Sequence, residues 1–282
     1  MPPFSQSDEQ LVPMAVGGDM DALNELIRRH QSWVFNLALR MIWRREAAED
    51  ATQEILVKAV TKLASFEGRS TFRTWLNRVA VNHLLNVRKS EMEEKAMTFS
   101  DMGLSLDAVG DEELPDSRTL PVEKKVIVEE ARLGCITAML MCLDRRQRIA
   151  FILGEILGET SDAAAGAMGV TSANFRQLLS RARQDLYQFM NEKCGLVNTS
   201  NPCRCARKAS GFLRNGWLDP DSLSFSKDRI EAVRRCADEK MEELNAIDRQ
   251  HAEIYRQQPF LAGPDLSGKL RELIMQSDFA AE

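Results

Sequence analysis

Apolar residues recur at three- and four-residue steps along most of this chain, the period of a helix that buries one face. Leu23, Leu26/Ile27, Val34, Leu37/Ala38 and Met41/Ile42 predict a long helix. Ala51, Ile55, Ala59 and Leu63 draw the core line of a second, and Phe72, Trp75/Leu76, Val79, Leu84 and Val87 that of a third. From Val126 the period resumes through Leu133, Leu140, Ile149, Ile152/Leu153 and Ile156. No strand-like alternation competes over a useful length, so the fold class predicted is all-α.

A tighter pattern follows. The small-residue stretch Ser161–Met168 reads as a short helix, then a Gly169-Val170 turn. Thr171 can N-cap another helix, with Phe175, Leu178/Leu179, Ala182, Leu186 and Phe189 as its apolar line. Two helices joined through a short Gly-containing turn form a helix-turn-helix. Cys194–Pro220, rich in Asn, Gly and Pro, reads as a loop. A long helix is predicted beyond Ser226 on the heptad-like line Ile230, Val233, Ala237, Leu244, Ile247, His251 and Ile254, with a short last helix from Leu266 to Met275.

Charge refines this outline. Between Glu93 and Glu123 nine acidic residues face only Lys95 and Arg118, so this segment reads as an acidic linker with little apolar surface to offset ordering. The expected organisation is a helical domain over 10–92, the linker over 93–125, a helix-turn-helix domain over 126–190, and a Cys-containing loop with a helical C-terminal extension over 191–282. With 282 residues the chain is long enough for several small cores. Its formal net charge of −5 means that any nucleic-acid contact must use local basic patches or a larger partner. The start MPPFSQSDEQ lacks a secretory pattern, and the apolar run at Ile149–Leu157 is too short to span a bilayer. Six unevenly spread cysteines do not resemble a secreted disulfide framework, so a reducing cytoplasm, with no membrane partner, is expected. No phosphate-binding G-x-x-x-x-G-K-[ST] loop occurs and no nucleophile–base pair stands out, so no enzymatic activity is expected.

Ala47–Lys89 carries segregated charge. Asp50, Gln53, Glu54 and Val57 fall at i, i+3, i+4 and i+7, one face beside the core line of their helix. On the next helix Arg78, Asn82 and Lys89 share a face, flanked by Arg73 and Arg88, with Arg69 in the preceding loop. An acidic stripe followed by a basic one points to two macromolecular partners. Trp75 is spaced for the core, and His83 reads as a helix-surface residue. In the helix-turn-helix, Ser172, Asn174, Arg176, Gln177 and Arg181 avoid the apolar line. Asn and Gln suit adenine edges and Arg suits guanine, while Arg181 and Arg183 suit phosphate.

At these residues the chain resembles the extracytoplasmic-function (ECF) sigma factors of the sigma-70 family. Ala48-Glu49-Asp50, Gln53-Glu54, Phe66, Phe72-Arg73-Thr74-Trp75-Leu76, Arg78-Val79-Ala80 and Asn82 carry the first match. Leu143-Asp144-Arg145-Arg146-Gln147-Arg148, Gly169-Val170 and Ser180-Arg181-Ala182-Arg183 carry the second, in the same order along the chain. The resemblance implies a sigma region 2 domain docking on core RNA polymerase through Asp50, Gln53 and Glu54. It implies contacts to the opened −10 element of promoter DNA by Arg69, Arg73, Arg78, Asn82, Arg88 and Lys89, with the Phe66–Thr71 loop holding an extruded base. A region 4 helix-turn-helix would read the −35 element through Ser172, Asn174, Arg176, Gln177, Arg181 and Arg183. An anti-sigma or other regulatory protein is a further expected partner. Leu178 stands where the family pattern usually carries a basic residue.

The extension exceeds the two-domain family plan. Cys194-x8-Cys203-x-Cys205 offers three soft ligands, with Cys236 or His251 as a fourth. Structural zinc, reduced partly buried cysteines and redox switching all fit this spacing; no cofactor is required otherwise. Cys135 and Cys142 read as small core residues. Two rival functions stay open on sequence: a helix-turn-helix regulator acting without core polymerase, and a thiol- or metal-sensing module built on the C-terminal cysteines.

Overall fold

The structure is a computed structural model that describes residues 6–87, 97–110, 113–115, 120, 123–221, 223, 254–256, 260 and 263–266. Among them every regular element is helical: α1 (Asp8–Val16), α2 (Met20–Ile42), α3 (Arg45–Thr61), α4 (Phe72–Asn86), α5 (Phe99–Ala108), α6 (Lys124–Met141), α7 (Arg145–Phe151), α8 (Ser161–Met168), α9 (Ser172–Lys193) and α10 (Cys205–Arg214). A 3-10 turn, Leu63–Ser65, follows α3, and α7 runs into a π-helical stretch, Ile152–Ile156. The chain divides into two compact units, one of Met1–Arg88, Thr160–Phe175 and Leu261–Glu282, the other of Lys89–Glu159 and Arg176–Phe260.

In the first unit α2 is the central element. Val34, Phe35, Leu37 and Ala38 are fully buried, and α1 and α3 pack against it. It begins where the Asp19 carboxylate accepts from the backbone N–H groups of Asp21 and Ala22, at 2.9 and 3.0 Å. These are orphan donors of the first turn, satisfied by a side chain. The guanidinium of Arg40 is buried too; its Nη1 donates to the Asn36 carbonyl and side-chain oxygen, and burial pushes its pKa down to about 10. α8 packs on α4 in the same unit, where Arg78 Nε donates to the Gly166 carbonyl at 2.9 Å. From the C-terminal extension, Gly263 N–H donates to Ser32 Oγ and Leu266 N–H to Gln31 Oε1.

The second unit is built around α6 and α7. Asp144 N-caps α7, accepting from the N–H groups of Arg146 and Gln147. Arg148 is buried beneath that turn and donates to the carbonyls of Leu140, Met141 and Leu143 at 3.0, 3.2 and 3.0 Å. It therefore adds donors at the end of α6 and in the turn after it, where the Leu140 carbonyl also accepts from Leu143 N–H, a cap delivered from the following helix. α10 packs on α6. A Cβ on Gly211 would stand 2.2 Å from Val109 Cγ1, so α10 approaches Val109 at a point where only glycine fits.

Two segments differ from the sequence expectation. The acidic linker contains α5, because Thr98 and Asp101 cap its start reciprocally and Met102, Leu106 and Val109 are buried. The loop expected over Cys194–Pro220 contains α10, whose Ala209 and Phe212 face inward. α1 was not foreseen; its Leu11 is fully buried, and Ser7 N–H donates to Gln10 Oε1 at its start. Of the two C-terminal helices expected, Ile254–Arg256 is helical and the rest lies outside the described residues, apart from Leu266 at the head of the last one. Tyr255 is fully buried, 4.9 Å edge-on to Phe151, so this turn of the extension packs in the second unit.

Arg148→Ala takes the guanidinium donor from three carbonyls, of which that of Leu140 keeps the Leu143 N–H. A loss on the order of 2–4 kcal/mol is expected, read as a lowered urea midpoint of the full chain. An unchanged midpoint would show that water replaces the guanidinium at no cost.

Candidate functional site

The acidic face of α3 is where the sequence places it. Asp50 and Glu54 are exposed, and Gln53 is half-buried beside the core residues Ala51 and Ile55. Glu54 is also tied inward: its Oε2 lies 3.9 Å from Lys58 Nζ and 3.8 Å from His83 Nε2. Lys58 Nζ donates to His83 Nδ1 at 2.7 Å, which requires that nitrogen to be unprotonated. His83 is thus not the surface residue expected but a buried link between α3 and α4. It lies on the inner face of α4 with Ala80 and Leu84, so three-residue spacing from Ala80 was the signal for its burial.

α4 starts at Thr71, whose Oγ1 accepts from Thr74 N–H. The preceding loop turns at Gly68, with φ of 69°, and Glu67 and Arg69 pair across it. Phe66, Phe72 and Trp75 form one aromatic cluster, with ring centroids 5.6–5.9 Å apart. Phe72 is buried, whereas Phe66 and Trp75 are half-buried, so Trp75 belongs to the cluster and still presents an edge to solvent. Arg73 lies 5.7 Å above the Trp33 ring, a cation–π contact that directs an exposed arginine along the surface. Arg69, Arg73, Arg78 and Asn82 are all exposed on the loop and α4. Arg88 and Lys89 lie outside the described residues.

Gly169 closes α8 with a left-handed backbone, φ 65°, and Thr171 caps α9 by accepting from Asn174 N–H. This is the turn read from the sequence. Asn174, Arg176, Gln177 and Arg181 are exposed along α9, Ser172 is half-buried with its hydroxyl donating to Asp162, and Leu178 is half-buried. Arg183, expected to suit phosphate, also has a partner within the fold. Its guanidinium is paired with the carboxylate of Glu155, a residue only 3% exposed in the π-helical stretch. A buried carboxylate holds its partner strongly because an unpaired charge there is costly. Arg256 of the extension meets the same group, with Nε donating to the Glu155 carbonyl at 2.8 Å. Gln147 Nε2 donates to Asp185 at 3.1 Å.

Cys194, Cys203 and Cys205 do come together. They line a cavity of about 30 Å³ in the second unit, joined by Cys135 of α6. Cys135 and Cys142, expected in the core, are half-buried as whole residues, and burial raises both thiols' pKa. Among the described residues no three Cys, His, Asp or Glu side chains are grouped to hold a metal ion as placed. Cys236 and His251 lie outside the described residues.

Residues 26–93 match the family model described as Sigma-70 region 2, and residues 133–186 match Sigma-70 region 4. Over these two regions the chain is similar to the sigma-70 family, and the relatives it matches include ECF sigma factors. It is 32% identical over 185 residues to the ECF RNA polymerase sigma factor SigG of Mycobacterium tuberculosis, covering 60% of this chain and 48% of that one. It is 28% identical over 182 residues to the RNA polymerase sigma-H factor of Pseudomonas aeruginosa, covering 64% and 91%. The chain thus spans about half the length of SigG. A solved sigma factor RpoE, in complex with the anti-sigma factor NepR from Bartonella quintana, overlays with a TM-score of 0.40 at 21% identity, covering 59% of this chain and 95% of that one. No helix among the described residues is long and apolar enough to cross a membrane.

His83 carries a pH expectation. Burial first, then the Lys58 ammonium, lowers its pKa against the opposing pull of Glu54; burial likewise lowers that of His30 against the pull of Asp8. Both imidazoles hold a proton less readily in the folded chain, so the unfolded chain binds more protons as pH falls through about 6.5. Stability is therefore present above that value and declines below it. The melting temperature should fall between pH 7.5 and 5.5, and His83→Gln should flatten that fall. An identical pH profile in the variant would remove His83 from the account.

Proposed function

We propose that this chain is a promoter-specificity subunit: it binds core RNA polymerase, recognises −10 and −35 promoter elements and supports strand opening. The observation that carries this is the ordered occurrence of regions 2 and 4 in one chain, each with exposed polar residues where the activity needs them. The exposed carboxylates Asp50 and Glu54, with Gln53, offer core polymerase a docking face that α3 holds rigid. Exposed Arg73, Arg78 and Asn82 on α4, and Arg69 before it, suit an opened DNA strand: arginines locate phosphate and asparagine reads base edges. The half-buried Phe66 and Trp75 edges give an extruded base a stacking surface, which offsets the few kcal/mol that unstacking costs.

On α9, Asn174 and Gln177 are placed to read bases near the helix N-terminus, with Arg176 and Arg181 alongside. Arg183 acts through Glu155, keeping α9 in place, rather than by touching DNA. No step in this reading needs a catalytic side chain, because phosphodiester synthesis belongs to the polymerase.

Run-off transcription with core polymerase on a promoter library tests the reading directly. Transcripts from promoters sharing −10 and −35 elements are expected; none above core enzyme alone would overturn it. Asp50→Lys with Glu54→Lys should abolish co-purification with core polymerase while leaving the chain folded. Gln177→Ala should relax one −35 position by about 1–3 kcal/mol of discrimination, the worth of a bidentate base contact. An unchanged promoter profile would remove Gln177 from base reading.

A further inference from the structure

The role proposed above leaves one cluster of chemistry unused: the thiols between α9 and α10. Cys194 closes α9 and Cys203 precedes α10, and their backbones form the one isolated β-bridge among the described residues. Bridged backbones lie about 5 Å apart, inside the Cα separation of roughly 4.4–6.8 Å that a disulfide spans. Gly195 makes the approach close, since a Cβ there would stand 2.2 Å from the Cys203 carbonyl oxygen. The intervening loop is held by polar contacts. Asn201 Nδ2 donates to the carbonyls of Asn191 and Cys194, and Arg204 donates to those of Thr199 and Cys203. The two cysteines are therefore brought together by a fixed frame; neither is in a disulfide, and both are half-buried.

Two other thiols line the cavity, Cys205 and Cys135. Burial, reinforced by Cys194 and Cys203, pushes Cys205 up to about 12, and burial pushes Cys135 well above the ordinary thiol range. Thiols held protonated are poor nucleophiles.

We propose that Cys194 and Cys203 are a peroxide-oxidisable dithiol that closes the turn between α9 and α10 as a reversible disulfide. One thiolate attacks the peroxide O–O bond, giving a sulfenic acid and releasing water. The partner thiol then attacks that sulfur, forming the S–S bond and releasing a second water. Hydrogen peroxide gains the two electrons that the thiols lose, and a dithiol reductant restores them. The disulfide would tie the C-terminal end of α9 to the segment that starts α10.

Both cysteines fall in one tryptic peptide, 194–204. The full chain is treated with hydrogen peroxide, alkylated, digested and weighed. Peptide 194–204 should lose two hydrogens and escape alkylation, and dithiothreitol should reverse both. Cys203→Ser should abolish the loss and Cys205→Ser should leave it intact. A bond that instead joins Cys205 or Cys135 would overturn the pairing. So would one zinc per chain, retained after chelator-free purification and shielding the peptide from peroxide; the four cavity thiols would then be metal ligands. The readout does not use transcription, so failure of the promoter-binding reading would leave this result interpretable.

Discussion

A chain whose described regular elements are all helices must settle the four backbone N–H groups at the start of each helix and the four carbonyls at its end. That constraint decides where helices stop, and hence where the loops and exposed turns fall. Asp19, Thr71, Thr98, Asp144, Thr160 and Thr171 each place a side-chain oxygen on the first turn of the helix that follows. Arg148 does the converse for α6, turning a cation into a cap for three carbonyls. The loop before α4 and the turn before α9 are short and defined because their boundaries are fixed in this way. Several of the side chains proposed to meet DNA, Arg73, Asn174, Arg176 and Gln177, sit in the first turns beyond such caps.

The all-α class, the core lines of α2 to α4 and the α8–α9 turn were legible because period and cap coincide there. Thr171 and Gly169 announce their turn with little competition from other patterns. α5 was missed because acidic composition outweighed a local signal: Thr98 and Asp101 stand at capping-box spacing, and Met102 and Leu106 share a face. The burial of His83 was missed for another reason. Histidine spacing says where a side chain points, but not that Lys58 waits 25 residues away to satisfy it. For Arg183, the partner was likewise not legible. Its spacing on α9 suits phosphate, and only the fold places a buried carboxylate beside it.

Charge in this acidic chain is thus sorted by burial rather than by sum. Glu25 is held by Arg28 and Arg29, which bring its pKa down to about 2, and Arg183 is held by Glu155. Exposed Asp50, Glu54, Arg73, Asn174 and Arg176 are the groups left facing solvent and partners. A net charge of −5 therefore says little about the surface of α4 or α9.

The π-helical stretch at Ile152–Ile156 bears on how the second unit is set. Its i→i+5 bonds accommodate one residue more than an α-helix of the same length. Removing that residue would restore ordinary bonding but rotate every later side chain by about 100°, given 3.6 residues per turn. Glu155 would then no longer face Arg183 and Arg256. The irregular turn works as a phase setting: local helical regularity is given up so that a distant guanidinium and a returning stretch of chain find the same carboxylate.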